Sequence, residues 1–129
     1  MIEFGILNRL VADPTIAALI GANVTAVLLP EDTTYPAVTY QRASTVRDYD
    51  TSGAVSLSTI RLQVDSWSED YVQVKQLDAA VRACLDGFSG TLPNGTYVDN
   101  TTVDSSYDLY ESTARLHRVS TDFLITGVE

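Results

Sequence analysis

Apolar residues along the chain recur first at helical spacing. Ile6, Leu7, Leu10 and Val11 fall on one face of a short amphipathic helix. That helix should end before Asp13-Pro14. Asp13 is then placed to cap a second short helix, with Pro14 in its first turn and Gly21 at its C-terminal left-handed position. Residues 24–29 are β-branched and apolar enough for a strand, closed by Pro30 and the turn-forming stretch 31–34. After Pro36, residues 37–43 alternate like a half-buried strand, with Val38 and Tyr40 on a common face. Residues 45–56 have little apolar content and read as a protruding loop or hairpin tip.

The strongest strand signal follows. Ile60, Leu62 and Val64 point one way while Thr59, Arg61, Gln63 and Asp65 point the other. Ser66 or Ser68 can cap the next helix, and Glu69 and Asp70 suit the positive end of its dipole. Tyr71, Val74, Leu77, Val81, Cys84 and Leu85 form its apolar stripe, Asp78 and Arg82 lie largely elsewhere, and Gly87 ends it. Turn residues 90–95 precede a weak strand over 96–103, and a last strand over about 114–126 has Val119, Phe123 and Ile125 on one face. No repeated strand-helix alternation builds a wholly parallel sheet. The order predicts one α+β domain over residues 1–129. It should hold a mainly antiparallel or mixed sheet of about four strands, with one long helix and one or two short ones packed on it.

Composition narrows the function. With 45% hydrophobic and 19% charged residues, the chain has the makeup of an ordinary globular domain rather than a disordered one. Its longest apolar runs are far short of the roughly 20 residues needed to cross a bilayer. The N-terminus carries an acid, Glu3, where a secretory signal carries positive charge, so residence in a cytoplasm and no membrane partner are expected. One Cys and one His supply neither an internal disulfide nor a zinc site of the usual composition, and no cofactor is expected. Asn-x-Thr sequences at Asn23, Asn94 and Asn100 read as turns in the absence of a signal. Eight basic residues against seventeen acidic give a net charge of -9, which repels a phosphate backbone. Such a surface suits DNA that must slide past without sticking.

The run Ile60-Arg61-Leu62-Gln63-Val64-Asp65-Ser66-Trp67-Ser68-Glu69-Asp70-Tyr71, followed by Leu77, Ala80-Val81-Arg82 and Leu85, resembles the strand-to-helix signature of bacteriophage tail-terminator, or tail-completion, proteins. Asp13-Pro14 through Leu19-Ile20-Gly21 is similar to that family's start, and Tyr35-Pro36-Ala37-Val38-Thr39-Tyr40 to its early strand. Tyr110-Glu111 through Leu116-His117-Arg118-Val119-Ser120-Thr121-Asp122-Phe123 is similar to its ending. The weight lies in the order and spacing of these strings, which span nearly the whole chain. One departure is local: the family often has Ala after the strand-end Trp, where Ser68 stands here. The resemblance implies a non-enzymatic virion protein assembled in the bacterial cytoplasm. It implies a ring of identical subunits, commonly six, seated on the tail tube. Such a ring ends tube polymerisation and joins the tail to the head connector or neck proteins, and DNA passes through its lumen without tight binding.

Assembly work needs interface residues. Arg47, Asp48, Tyr49 and Asp50 combine both charges with an aromatic in a segment without a core role, as a docking loop would; a solvated turn explains them equally. Arg42 and Arg61, on the polar faces of their strands, can line an intersubunit seam or form ordinary cross-strand ion pairs. Trp67 with Asp65 can join an interface, or Trp67 can pack over the strand-helix corner while Asp65 bonds nearby backbone. Asp99, Asp104 and Asp108 lack the spacing of a calcium loop and read as a solvated acidic loop. Three other functions stay open. They are a different neck, head-closure or tail component, a small hydrolase using carboxylates such as Asp48 and Asp50, which lacks a nucleophile-base pair, and an acidic adaptor that binds a basic partner. His117 with Cys84 would serve catalysis only if the fold joined them.

Overall fold

A computed structural model describes the backbone of residues 1–50 and 53–128 and the side chains of residues 1–47 and 57–128. The chain opens on a broken helix, α1 (Ile2–Ala12) and α2 (Pro14–Ile20). Asp13 makes the break: its carboxylate accepts from the backbone N–H of Thr15 at 2.9 Å and of Ile16 at 3.1 Å. Pro14 follows, where a missing N–H costs nothing. α1 buries Ile2, Ile6 and Leu10, a row spaced by four, with Leu7 and Val11 half-buried beside them. Gly21 takes a positive φ of 62° but with ψ −127°, which is not the left-handed helical pair expected.

The strands are β1 (Val24–Ala26), β2 (Ala37–Asp50), β3 (Gly53–Ser68), β4 (Gly90–Thr91), β5 (Tyr97–Glu111) and β6 (Leu116–Val128), with α3 (Tyr71–Leu85) between β3 and β4. They form one sheet in the order β1-β2-β3-β6-β5-β4. β1 runs parallel to β2 and every other neighbour is antiparallel. Six strands stand where about four were expected: each of the five segments read as strands contains one, β1 among them, and β4 lies in the stretch read as a turn. β1 stops at Ala26 rather than running to residue 29 because Val27 turns to φ 65°.

Two other boundaries move. The stretch 45–56 is mostly strand: Thr45, Val46 and Arg47 face Ile60, Thr59 and Ser58, and the arm continues to the pair Asp50–Gly53. Polar side chains hid it because a two-stranded arm beyond the core has no buried face to impose alternation. The weak strand expected at 96–103 runs on to Glu111 for the same reason. Its second half is paired with β6 but largely exposed on both faces. Asp99, Asp104 and Asp108 therefore lie on a strand and not in a loop.

All three helices pack on one face of the sheet. Ile60, Leu62 and Val64 of β3 and Phe123 and Ile125 of β6 meet Val74, Leu77, Val81 and Leu85 of α3 and the Ile2-Ile6-Leu10 row of α1. Each such buried side chain contributes roughly 1.5–3 kcal/mol of transfer free energy before ordering costs are subtracted. Asp70, not Ser66 or Ser68, caps α3, its carboxylate accepting from the Gln73 N–H at 2.8 Å. Ser68 supports the turn, its hydroxyl accepting from the Asp70 N–H at 3.0 Å. Tyr71, placed on the apolar stripe by spacing, is 46% exposed. Asp78, expected off that stripe, is buried; it accepts from the Thr121 hydroxyl at 2.7 Å and from Arg82 Nε at 2.8 Å, which makes its burial tolerable.

Candidate functional site

The β2–β3 hairpin arm carries the first set of candidate residues. β6 accompanies β3 as far as the pair Leu57–Val128, and among the described residues the arm beyond it pairs only β2 with β3. Arg47 is exposed at its base. Asp48, Tyr49 and Asp50 continue β2 toward the turn, and their side chains lie outside the described residues. The hydrolase reading through Asp48 and Asp50 likewise rests on side chains outside that description.

The helix-free face of the sheet carries two polar clusters. Arg61 reaches Asp104 on β5 at 2.5 Å and Asp122 on β6 at 3.4 Å, and the hydrogen bond to Asp104 holds its guanidinium pKa above the ordinary value. Arg118 binds Glu111 at 3.1 Å and Asp65 at 3.5 Å, and its guanidinium carbon lies 5.0 Å from the centre of the Trp67 ring. Asp65 also accepts from Gln63 at 3.0 Å, so its partners are side chains and not the backbone expected. The indole N–H of Trp67 donates to Thr39 on β2 at 2.9 Å. Trp67 thus ties β2, β3 and β6 together at the strand end, on the face away from the helices, while remaining half-buried.

Arg42 is not on the polar face. It shares the helix-bearing side with Val38 and Tyr40, being four and two residues from them, and reaches Glu3 of α1 at 2.6 Å. It is a cross-element ion pair. Nearby burial, with Glu3 adding to it, pushes the Tyr40 hydroxyl pKa up.

A cluster that sequence reasoning missed lies where the start of α3 meets β5 and β6. Asp108 accepts from the Tyr71 hydroxyl at 2.7 Å and from Lys75 at 3.0 Å, and these two bonds hold its carboxyl below the usual range. His117 sits between the rings of Tyr71 and Tyr110, with ring centres 5.4 and 4.8 Å away. Tyr71 and Tyr110 are each about half exposed. Residues so far apart in sequence meet only through the β5–β6 pairing, and only the run of tyrosines hinted at it. Exposed Val27 and Leu28, expected inside a strand, make a second apolar patch.

Cys84 and His117 are not brought together. Cys84 lies in the last turn of α3 beside Arg9, whereas His117 contacts Tyr71 in its first turn, roughly 20 Å away along the helix axis. Burial pushes the Cys84 thiol up to about 11, the opposite of an activated nucleophile. Among the described residues no group of three or more His, Cys, Asp or Glu side chains could hold a metal ion. Within the same limit, no helix is long and apolar enough to cross a membrane.

Comparison with known proteins places this arrangement. A chain from the virion of a native gene transfer agent particle has the same fold with a TM-score of 0.81 at 18% identity, over 96% of this chain and 92% of that one. No curated protein sequence matches. The model of the family described as tail completion protein gp17 matches residues 5–126, from within α1 to near the end of β6. The chain therefore belongs to the tail completion protein gp17 family and is a structural protein of a bacteriophage-type virion tail.

Proposed function

We propose that this protein caps the finished tail tube as a ring of identical subunits, stops addition of tube subunits and presents a new surface to the head connector, with DNA passing through the opening. The family match across nearly the whole chain carries this reading. The work is binding and not catalysis: a tube end recognises its cap by interface free energy, and polymerisation stops because the cap offers no copy of the surface it covers.

Two physical features fit that role. The net charge of -9 disfavours adhesion of a polyanion to the ring wall. The β2–β3 arm extends past the body of the sheet and supplies, through Arg47, Asp48, Tyr49 and Asp50, a protruding contact toward tube or neck. Arg61 and Trp67 serve the account differently, by stiffening the sheet face on which such contacts are mounted.

The test is a tube-growth assay. Tail-tube subunits polymerising in vitro should stop lengthening when the protein is added in slight molar excess over tube ends, and electron images should show extra density on one tube end only. Tubes that lengthen at an unchanged rate with bare ends would refute the capping role.

A further inference from the structure

At the β1 edge of the sheet, the end of α2 and the loop over residues 30–36 enclose an open cleft of about 410 Å³. Leu19, Ile20, Pro30 and Pro36 give it apolar lining, and exposed Asp32 stands among them with exposed Glu31 next in sequence. No basic residue lines the cleft, and among the described residues the Asp32 carboxylate has no ion-pair or hydrogen-bond partner. Apolar lining with an unpaired acid suits a side chain that has an apolar stem and a positive head, an arginine or a lysine.

The turn between β5 and β6 offers such a side chain. Arg115 is exposed there at φ 56°, a conformation that Gly or Asn adopts more readily, so the turn itself does not call for an arginine. Among the described residues its guanidinium has no partner. Glu111 is held by Arg118, Asp108 by Tyr71 and Lys75, Asp70 caps α3, and exposed Glu69 makes no ion pair with it. The registers put cleft and turn at the same end of the sheet. Ala37 faces Trp67, which faces Arg118, which faces Leu109, so Pro36 in the cleft stands level with the residues leading into the turn. β2 and β3 lie between the two sites.

A ring of identical copies needs two different, complementary patches on opposite sides of each subunit, at one height along the ring axis. Cleft and turn meet that requirement when the axis runs along the strands. Charge selects the asymmetric contact: cleft against cleft sets Asp32 against Asp32, turn against turn sets Arg115 against Arg115, and only cleft against turn joins opposite charges. We infer that neighbouring subunits join through Arg115 on the β5–β6 turn of one copy, which enters the cleft between α2 and the 30–36 loop of the next, its stem over Leu19, Ile20 and Pro36 and its guanidinium paired with Asp32. The inference rests on the ring reading above and assigns that ring a contact.

Cross-linking on purified tail tubes tests it. With Cys84→Ala as background, the exposed neighbours Thr34→Cys and Ala114→Cys are made in separate chains, which leaves Asp32 and Arg115 in place. A short bismaleimide spans the gap, since an Arg–Asp pair holds its Cα atoms farther apart than a disulfide permits. A mixture of the two variants should yield covalent dimer, each variant alone almost none, and both cysteines in one chain a ladder of covalent multimers. Charge reversal gives a second readout. Asp32→Arg and Arg115→Asp should each lower the multimer bound to tube ends by at least about tenfold, and both reversals in one chain should restore it. Arg115→Gly should lose assembly equally with a thermal midpoint no lower than that of the unaltered protein. Single reversals that assemble like the unaltered protein, or cross-linking of one variant with itself, overturn the contact. The mass of the unaltered protein on tail tubes separates the failures: multimers without the mixed cross-link leave the ring and remove this contact, while monomers remove both.

Discussion

Asp78 is the residue on which the helix-sheet contact depends electrostatically. A carboxylate 2% exposed is costly unless every lone pair is used, and the Thr121 hydroxyl, itself linked to Ser106 at 2.9 Å, supplies one partner from β6. Asp78→Ala removes the acceptor and opens a small void, and should lower unfolding free energy by about 2 kcal/mol in urea titration. Asp78→Asn keeps an acceptor for Thr121 and should cost less than half of that. Cys84 gives a pH prediction. Its thiol pKa is raised in the folded state, so the associated stability is present in full below the ordinary value near 9 and is lost as pH rises through about 11. At pH 8 the native thiol is only about 0.1% ionised by the same shift. Iodoacetamide should therefore label it fully in denaturant and almost not at all in the native protein. Rapid native labelling would contradict its place in the core.

The elements that were legible in the sequence are those with one wet and one dry face. Ile60, Leu62 and Val64 announced β3, the Val74-to-Leu85 stripe announced α3, and Asp13-Pro14 announced the break between α1 and α2. Elements without that contrast were missed or cut short: the outer halves of β2 and β5 have polar residues on both faces and are strands because a neighbour pairs with them. Asp78 and Arg42 were misplaced for a related reason, since a charged side chain marks a polar face only when no partner waits for it inside. The candidate arm at Arg47, Asp48, Tyr49 and Asp50 was legible through what it lacks, apolar anchors. The Tyr71-Asp108-His117 cluster was not, being assembled by three elements distant in sequence. At this scale the arm is the testable part. Replacing residues 46–52 with a Gly/Ser linker should leave a cooperative thermal transition by circular dichroism while reducing attachment to tube or neck, read as tails separated from heads in electron images. Unchanged particle assembly would count against the arm.

The whole molecule combines a body of four long strands, short strands at either edge and an overall negative charge. Interface rotation, and not any residue pattern, fixes how many copies close a ring. Subunits of like charge repel at long range, so association should strengthen as salt rises from about 0.01 to 0.15 M and the Debye length shortens from roughly 30 to 8 Å, provided short-range contacts supply the attraction. The central claim is assembly on the tail tube. Its most direct measurement is the native mass of the protein with and without purified tail tubes, followed by imaging of the tube ends. A closed multimer is expected on tube ends, whatever the state of the free protein. A protein that stays monomeric in both conditions and leaves every tube end bare would contradict it.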